Sequence, residues 1–270
     1  MLLGPHLPRE IAALEVVRID ELTPLTQVNP LQVERLAVTL KSERVLRHPL
    51  VAMRLDQRLL VLDGHARLAA ARQIQLPDLL VQVMPPDRKV DPLNIYPFAA
   101  LNVTDEEVRR VTEGAFSESG EHADAALEMR HRDGSCLRYF PPSGNPERLW
   151  ETYLALVNAL RSVADIETVP KLSAWDQPEK WPAAAHALLV PPPLSLAMLG
   201  RLAAAGILLP WGSLDTTSSR RILGLNLSLD VLRANEPPSE KTAFVRELVR
   251  LRQSERRIHY YDSPVYIFED

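Results

Sequence analysis

Five consecutive residues, Asp63-Gly64-His65-Ala66-Arg67, combine a carboxylate, an imidazole and a guanidinium around a glycine. Leu59 to Leu62 before them is a short apolar run of strand formers, and Ala66 to Gln73 are all good helix formers. The pattern predicts a buried strand that turns at Gly64 into a helix beginning with His65, Ala66 and Arg67. A helix start carries free backbone N–H groups and the positive end of the dipole, so it suits an anion. Glycine lets a phosphate approach the backbone. Arg67 and His65 would add donors, and Asp63 would orient them or hold a metal. The expectation is phosphate or nucleotide binding. The plainer alternative is an aspartate cap and a glycine turn before an ordinary helix.

A second group, Thr216-Thr217-Ser218-Ser219-Arg220-Arg221, offers four hydroxyls and two guanidiniums, which bind phosphate through charge-assisted hydrogen bonds. A solvated turn would look the same. Arg47-His48-Pro49 holds a histidine beside a proline, more often structural than catalytic. No H-E-x-x-H spacing, Walker loop, Rossmann glycine pattern or G-x-S-x-G elbow occurs. Cys136, the single cysteine, lies in a strand-like apolar context and reads as an inert core thiol. It excludes intrachain disulfides and multi-cysteine zinc sites, and suits a reducing cytoplasm.

The 270 residues suffice for one large or two modest domains. Hydrophobic content of 46% and charged content of 24% are ordinary for a globular protein. A net charge of −4 provides no global basic field to recruit nucleic acid. Neither a signal peptide nor a membrane span is apparent. With 23 prolines against 10 glycines, stiff loops are expected.

The elements that must position these groups can be read along the chain. Val16 to Ile19 reads as a strand. Leu31 to Leu40 carries a helical apolar stripe, with Pro30 in the first turn. Strands are expected over Leu50 to Arg54 and Leu59 to Leu62, joined by a turn at Asp56-Gln57, then over Leu79 to Met84. This β-α-β-β-α-β order implies an α/β or α+β unit over 1–104. Asn94 to Ala100 reads as an apolar loop carrying Tyr96. Thr104 and Glu107 form a capping box. Ala126 to Arg130 and Ser135 to Phe140 suggest strands joined at Asp133-Gly134. Helices are expected over Pro146 to Val163 and Pro193 to Ala205, the latter capped by Gly206. Between them, Ala184 to Val190 resembles a strand. Ser239 to Arg257 reads as a charged amphipathic helix, solvated or packing, with nucleic-acid binding the lesser reading. Val265 to Phe268 suggests a last strand. The division expected is 1–104, a smaller α+β domain over 105–235 and an extension over 236–270.

Arg47-His48-Pro49, the hairpin and V-L-D-G-H-A-R together resemble the ParB/sulfiredoxin fold, and within it the free serine kinase family, including siderophore-cluster members. Those proteins carry D-G-H-H-R where this chain has Asp63 to Arg67. The segment Asn94 to Phe98 resembles their aromatic-proline loop, and Ser218 to Leu223 their T-T-R-H-V-L segment. Sulfiredoxin itself fits poorly, because its catalytic cysteine would fall where Gly64 and His65 stand.

The resemblance implies an α/β ParB/sulfiredoxin-like N-terminal domain, a smaller α+β domain and a ligand between them. It implies ADP or ATP held by Gly64, His65, Ala66, Arg67, Thr217, Ser218, Ser219 and Arg220. Magnesium would bridge the phosphates with Asp63 as a ligand, and His48 and Tyr96 would face the substrate. Asp63 and His65 would be catalytic. The family's glutamate base falls on Thr26, which cannot be a general base at neutral pH. Its lysine falls on Thr217, and its second histidine on Ala66. Glu21 or Glu34 would have to substitute for the base. Three functions are compatible with this: phosphate transfer to a small hydroxylated metabolite such as serine, a catalytically degenerate nucleotide or metabolite sensor, and a ParB-like DNA-associated protein. The last is disfavoured by the acidic charge and the lack of a clear helix-turn-helix.

Overall fold

The computed structural model describes residues 13–84, 95–102, 104, 106–107, 110, 127–139, 146–163, 165–168, 177–191, 194–214, 221–261 and 265–268. The chain begins with strands β1 (Leu14–Arg18) and β2 (Leu22–Pro24), joined by one short helical turn. Helix α1 (Pro30–Glu43) starts where the Asn29 side chain accepts from the Leu31 N–H at 3.0 Å, and ends at left-handed Arg44. Next come β3 (Val45–Leu46), β4 (Leu50–Leu55) and β5 (Arg58–Asp63), with Asp56 at φ 52° in the β4–β5 turn. Helix α2 (His65–Gln73) and β6 (Asp78–Met84) come after them.

Further on lie β7 (Phe98–Leu101), β8 (Leu127–His131), β9 (Cys136–Tyr139), α3 (Pro146–Val163), β10 (Asp165–Thr168) and β11 (Ala185–Val190). Helix α4 (Leu196–Ala205) is opened by the Ser195 hydroxyl, which accepts from the Met198 N–H, and closed by left-handed Gly206. The chain ends with β12 (Arg221–Leu223), β13 (Leu227–Ser228), α5 (Leu229–Arg233), α6 (Pro238–Ser254), β14 (Ile258–Tyr261) and β15 (Val265–Phe268). The class is mixed α/β. Among the described residues, no helix is long and apolar enough to cross a membrane.

Two compact units emerge, one from 1–89 with 216–270 and the other from 90–215. This differs from the expected 1–104, 105–235 and 236–270, because the C-terminal segment returns to complete the first unit. That unit holds a five-stranded sheet in the order β1-β6-β4-β5-β2, the ribbon β13-β3, and the sheet β12-β15-β14. Its apolar core takes Leu50, Val61, Leu68 and Leu80 from the early segment, and Ile222, Leu229, Val245 and Val249 from the late one. Helix α6, expected to be solvated or packing, packs on β1. The Thr242 hydroxyl accepts from the Val16 N–H at 2.9 Å, and the Lys241 ammonium donates to Asp78 at 2.5 Å, both groups buried.

The second unit is built on the sheet β10-β7-β11-β8-β9. Phe98 to Ala100, expected in a loop, belong to β7, which pairs with both β10 and β11. The proline at 97 and the short apolar run disguise it. Asp165–Thr168 and the short α5 were not anticipated from the sequence. Helix α4 begins at Leu196, three residues later than expected, where Ser195 supplies a cap. The capping box at 104 is present: Glu107 accepts from the Thr104 N–H at 2.9 Å and its own N–H donates to the Thr104 hydroxyl at 3.2 Å. Buried Trp150 and Tyr153 of α3 meet edge to face at 5.5 Å. Cys136 is exposed on β9, an outer strand, and is not a core thiol.

Candidate functional site

Register brings the chemical residues of the first unit to one end of its large sheet. β4 runs antiparallel to β5 and parallel to β6, which sets Asp63, Val51 and Gln82 in a row across three strands. Arg47-His48-Pro49 enters β4 at that end. β2 runs parallel to β5 with Pro24 opposite Val61. Thr26, two residues beyond the end of β2, is buried.

Gly64 makes the turn there. Its φ of 95° and ψ of 23° are left-handed, and α2 begins at His65, where the sequence places it. A Cβ at position 64 would come within 2.9 Å of Leu50 Cγ and 3.1 Å of Arg67 Nη2. Glycine is required by both conformation and space. No side chain caps this helix start, and a helix start of this kind suits an anion.

The side chains of the turn differ from their expected roles. Arg67 points inward: Nη1 donates to the His48 and Pro49 carbonyls at 2.8 and 2.7 Å, and Nη2 to Asp63 at 2.6 Å. Burial pulls its pKa below the ordinary value and Asp63 opposes that, but a guanidinium stays charged. Arg67 therefore fastens the turn to the entry of β4 and does not reach out as a phosphate donor. Asp63 Oδ2 also pairs with Arg221. Its carboxylate is an anchor for two guanidiniums. Among the described residues, no group of three or more His, Cys, Asp or Glu side chains is arranged to hold a metal.

His65 has its pKa lowered to about 4, chiefly by burial, with Asp63 and a hydrogen bond to the Val61 backbone pulling the other way. It is neutral at pH 7. Its Nε2 is buried with no hydrogen-bond partner. His48 accepts from the Gly224 N–H at Nδ1, 2.9 Å away. Burial lowers its pKa, helped by Arg67, Arg47 and Arg221 and opposed by Asp63. Its role here is structural, tying the entry of β4 to the segment just beyond β12. Ala66 lies in the first turn of α2. Glu21 and Glu34 are not buried among these groups.

Thr217, Ser218, Ser219 and Arg220 lie outside the described residues. The strand directly after them, β12, is firmly anchored. Arg221 pairs with Asp63, the Ile222 N–H donates to Gln82 Oε1 at 3.1 Å, and the Gly224 N–H just beyond the strand donates to His48. Three bonds thus fasten β12 across the sheet end that carries the Gly64 turn. Sequence reasoning missed Gln82, although a lone glutamine in L-L-V-Q-V-M was a signal: a polar residue in a buried strand needs a partner. It also gave Arg221 to the phosphate loop, where the structure gives it to Asp63. Tyr96 belongs to the second unit, its N–H donating to the Ser213 carbonyl at 2.6 Å.

No family model matches the sequence, and comparison with curated proteins finds no match. Solved structures do match. SbnI with a C-terminal truncation, from Staphylococcus aureus, superposes with a TM-score of 0.70 at 15% identity, covering 89% of this chain and 97% of that one. Free serine kinase in complex with AMP gives 0.57 at 14% identity, covering 82% and 93%. A free serine kinase variant in complex with ADP gives 0.59 at 14% identity, covering 82% and 94%. At such identities it is the fold that is shared, and this chain has the mixed α/β fold of SbnI and free serine kinase.

Proposed function

We propose that this chain binds an adenosine nucleotide with its phosphates against the start of α2, and transfers phosphate to a small hydroxylated metabolite such as serine. The uncapped helix start behind left-handed Gly64 carries the reading. The AMP- and ADP-bound neighbours support it. Gly64, His65 and Ala66 would offer backbone N–H groups, while Arg67 and Asp63 hold the turn in shape. Thr217, Ser218, Ser219 and Arg220 would supply the remaining donors, a role supported by the anchoring of β12 directly after them.

Magnesium would be carried mainly by the phosphate oxygens, because Asp63, the one carboxylate of the turn, is already engaged by Arg67 and Arg221. When bound it would neutralise phosphate charge. Within the first unit, His48 is the proposed substrate contact.

A second reading, a nucleotide sensor with lost catalysis, is favoured by Thr26. It is buried at the sheet end and has no proton-accepting group at neutral pH. General-base assistance is typically worth about 10²–10⁴-fold, whereas phosphoryl transfer leans mostly on positioning and charge neutralisation. Nucleotide binding should therefore outlast catalysis.

Calorimetric titration with AMP, ADP and ATP, followed by a mass assay for phosphoserine with magnesium and serine, separates the readings. Gly64→Ala should abolish nucleotide binding and lower the melting temperature, because its Cβ meets Leu50 and Arg67. Arg220→Ala should weaken binding by roughly 1.5–3 kcal/mol, the value of a charge-assisted hydrogen bond. Thr26→Glu should raise phosphoserine formation if only the base is missing. No affinity for any of the three nucleotides overturns both readings.

A further inference from the structure

Among its described residues, the first unit leaves four large apolar side chains in water, in two matched pairs. Leu31 and Val38 on α1 are 63% and 67% exposed, and Phe244 and Leu251 on α6 are 51% and 53% exposed. Each pair is seven residues apart, two helical turns, so each forms one stripe roughly 10 Å long. The stripes differ in charge. On α1 it runs Leu31, Arg35, Val38, Ser42, with Lys41 and a single carboxylate, Glu34, along one side. On α6 it runs Glu240, Phe244, Glu247, Leu251. Among the described residues, Arg35, Lys41 and Glu240 form no ion pair, and Glu247 reaches only Arg250, at 3.3 Å between two exposed groups. Beside Phe244 a cavity of about 420 Å³ is lined by Val231 and Ala234, by three carboxylates, Asp230, Glu236 and Glu240, and by Lys241, whose ammonium is held by Asp78. Such a space takes an aliphatic side chain that has a cation for a neighbour.

α1 packs on α2, whereas α6 packs on β1, an outer strand of the sheet. The stripes are exposed in the chain and do not cover each other. We infer that they cover each other between chains: the α1 stripe of one copy docks on the α6 stripe of the next. Leu31 and Val38 meet Phe244 and Leu251, Arg35 and Lys41 face Glu240 and Glu247, and an aliphatic side chain of α1 enters the cavity. The two surfaces are different patches of the molecule. The contact is therefore heterologous and builds head-to-tail chains or a ring, not a twofold dimer. It does not depend on nucleotide binding.

Sedimentation velocity on the full chain tests this directly. The expected result is a mass above the monomer that rises with protein concentration and falls with salt, because exposed charge pairs are screened. Two double variants then separate the faces: Leu31→Asp with Val38→Asp, and Phe244→Lys with Leu251→Lys. Each alone should weaken association at least tenfold while keeping the native melting temperature, since all four positions are exposed. Mixed in equal amounts, the two should form a one-to-one heterodimer, because one intact stripe of each kind survives. A chain that stays monomeric at every concentration, either variant still associating alone, or a mixture that stays monomeric would each overturn the inference.

Discussion

At the scale of single residues, Asp63 decides the shape of the turn. Its carboxylate receives Arg67 and Arg221, both largely sheltered from water. Asp63→Asn would leave the Arg67 charge inside with only two carbonyls. Removing one partner of a buried pair costs about 3–5 kcal/mol, and partial exposure here brings that to about 2–4 kcal/mol. The urea midpoint should fall accordingly. His65 predicts a pH effect of definite sign. Its folded pKa, about 4, lies below the ordinary 6.5, so protonation favours the unfolded chain. Its contribution is complete above pH 6.5 and shrinks as the pH falls toward 4, by at most about 3 kcal/mol. Stability measured at pH 7 and pH 4.5 should drop less in His65→Gln than in the unmodified protein. An equal drop in both would assign the loss to other groups.

At the scale of elements, what could be read from the sequence was what neighbours in sequence decide. The Gly64 turn, the Asp56 reversal, the Thr104–Glu107 box and the Gly206 cap each depend on a few adjacent residues, and each is present. Phe98–Leu101 became a strand only because β10 and β11 flank it, and no local pattern announces such partners. The same holds for the site: the strand-turn-helix was legible, while the inward aim of Arg67 and the bonds from the β12 segment to Gln82 and His48 depend on contacts over long sequence separation. Helix α6 gives a prediction of this kind. Lys241 and Asp78 are 2% and 6% exposed and bind each other, and Lys241 also donates to the Leu232 carbonyl. Lys241→Met would strand the Asp78 charge and cost about 3–5 kcal/mol, whereas adding Asp78→Leu should recover much of it, because a buried pair is often replaceable by apolar groups. Chemical denaturation of the single and double variants checks this. A double variant as unstable as the single would mean that the pair supplies net stability.

At the scale of the whole molecule, the first unit is one core shared by two distant segments. Residues 1–104 alone would lack Ile222, Leu225, Leu227, Leu229, Val245 and Val249. A chain ending at 104 should show no cooperative thermal transition by calorimetry. A chain joining 1–89 to 216–270 through a short glycine-serine linker should show one. If the fragment ending at 104 melted cooperatively, the late segment would be an accessory and not part of the core.

That shared core has a consequence for how the protein is made on the ribosome. The first 89 residues emerge well before the segment that covers their sheet, and the whole of 90–215 must be synthesised in between. At about 5–20 residues per second the delay is on the order of ten seconds. Elements within 90–215 have all their partners by the end of that interval, so the second unit is the first able to finish folding. During the wait the early sheet presents Leu14, Leu50 and Leu80 without their cover. This is the interval in which a nascent-chain chaperone or a neighbouring polysome would find it.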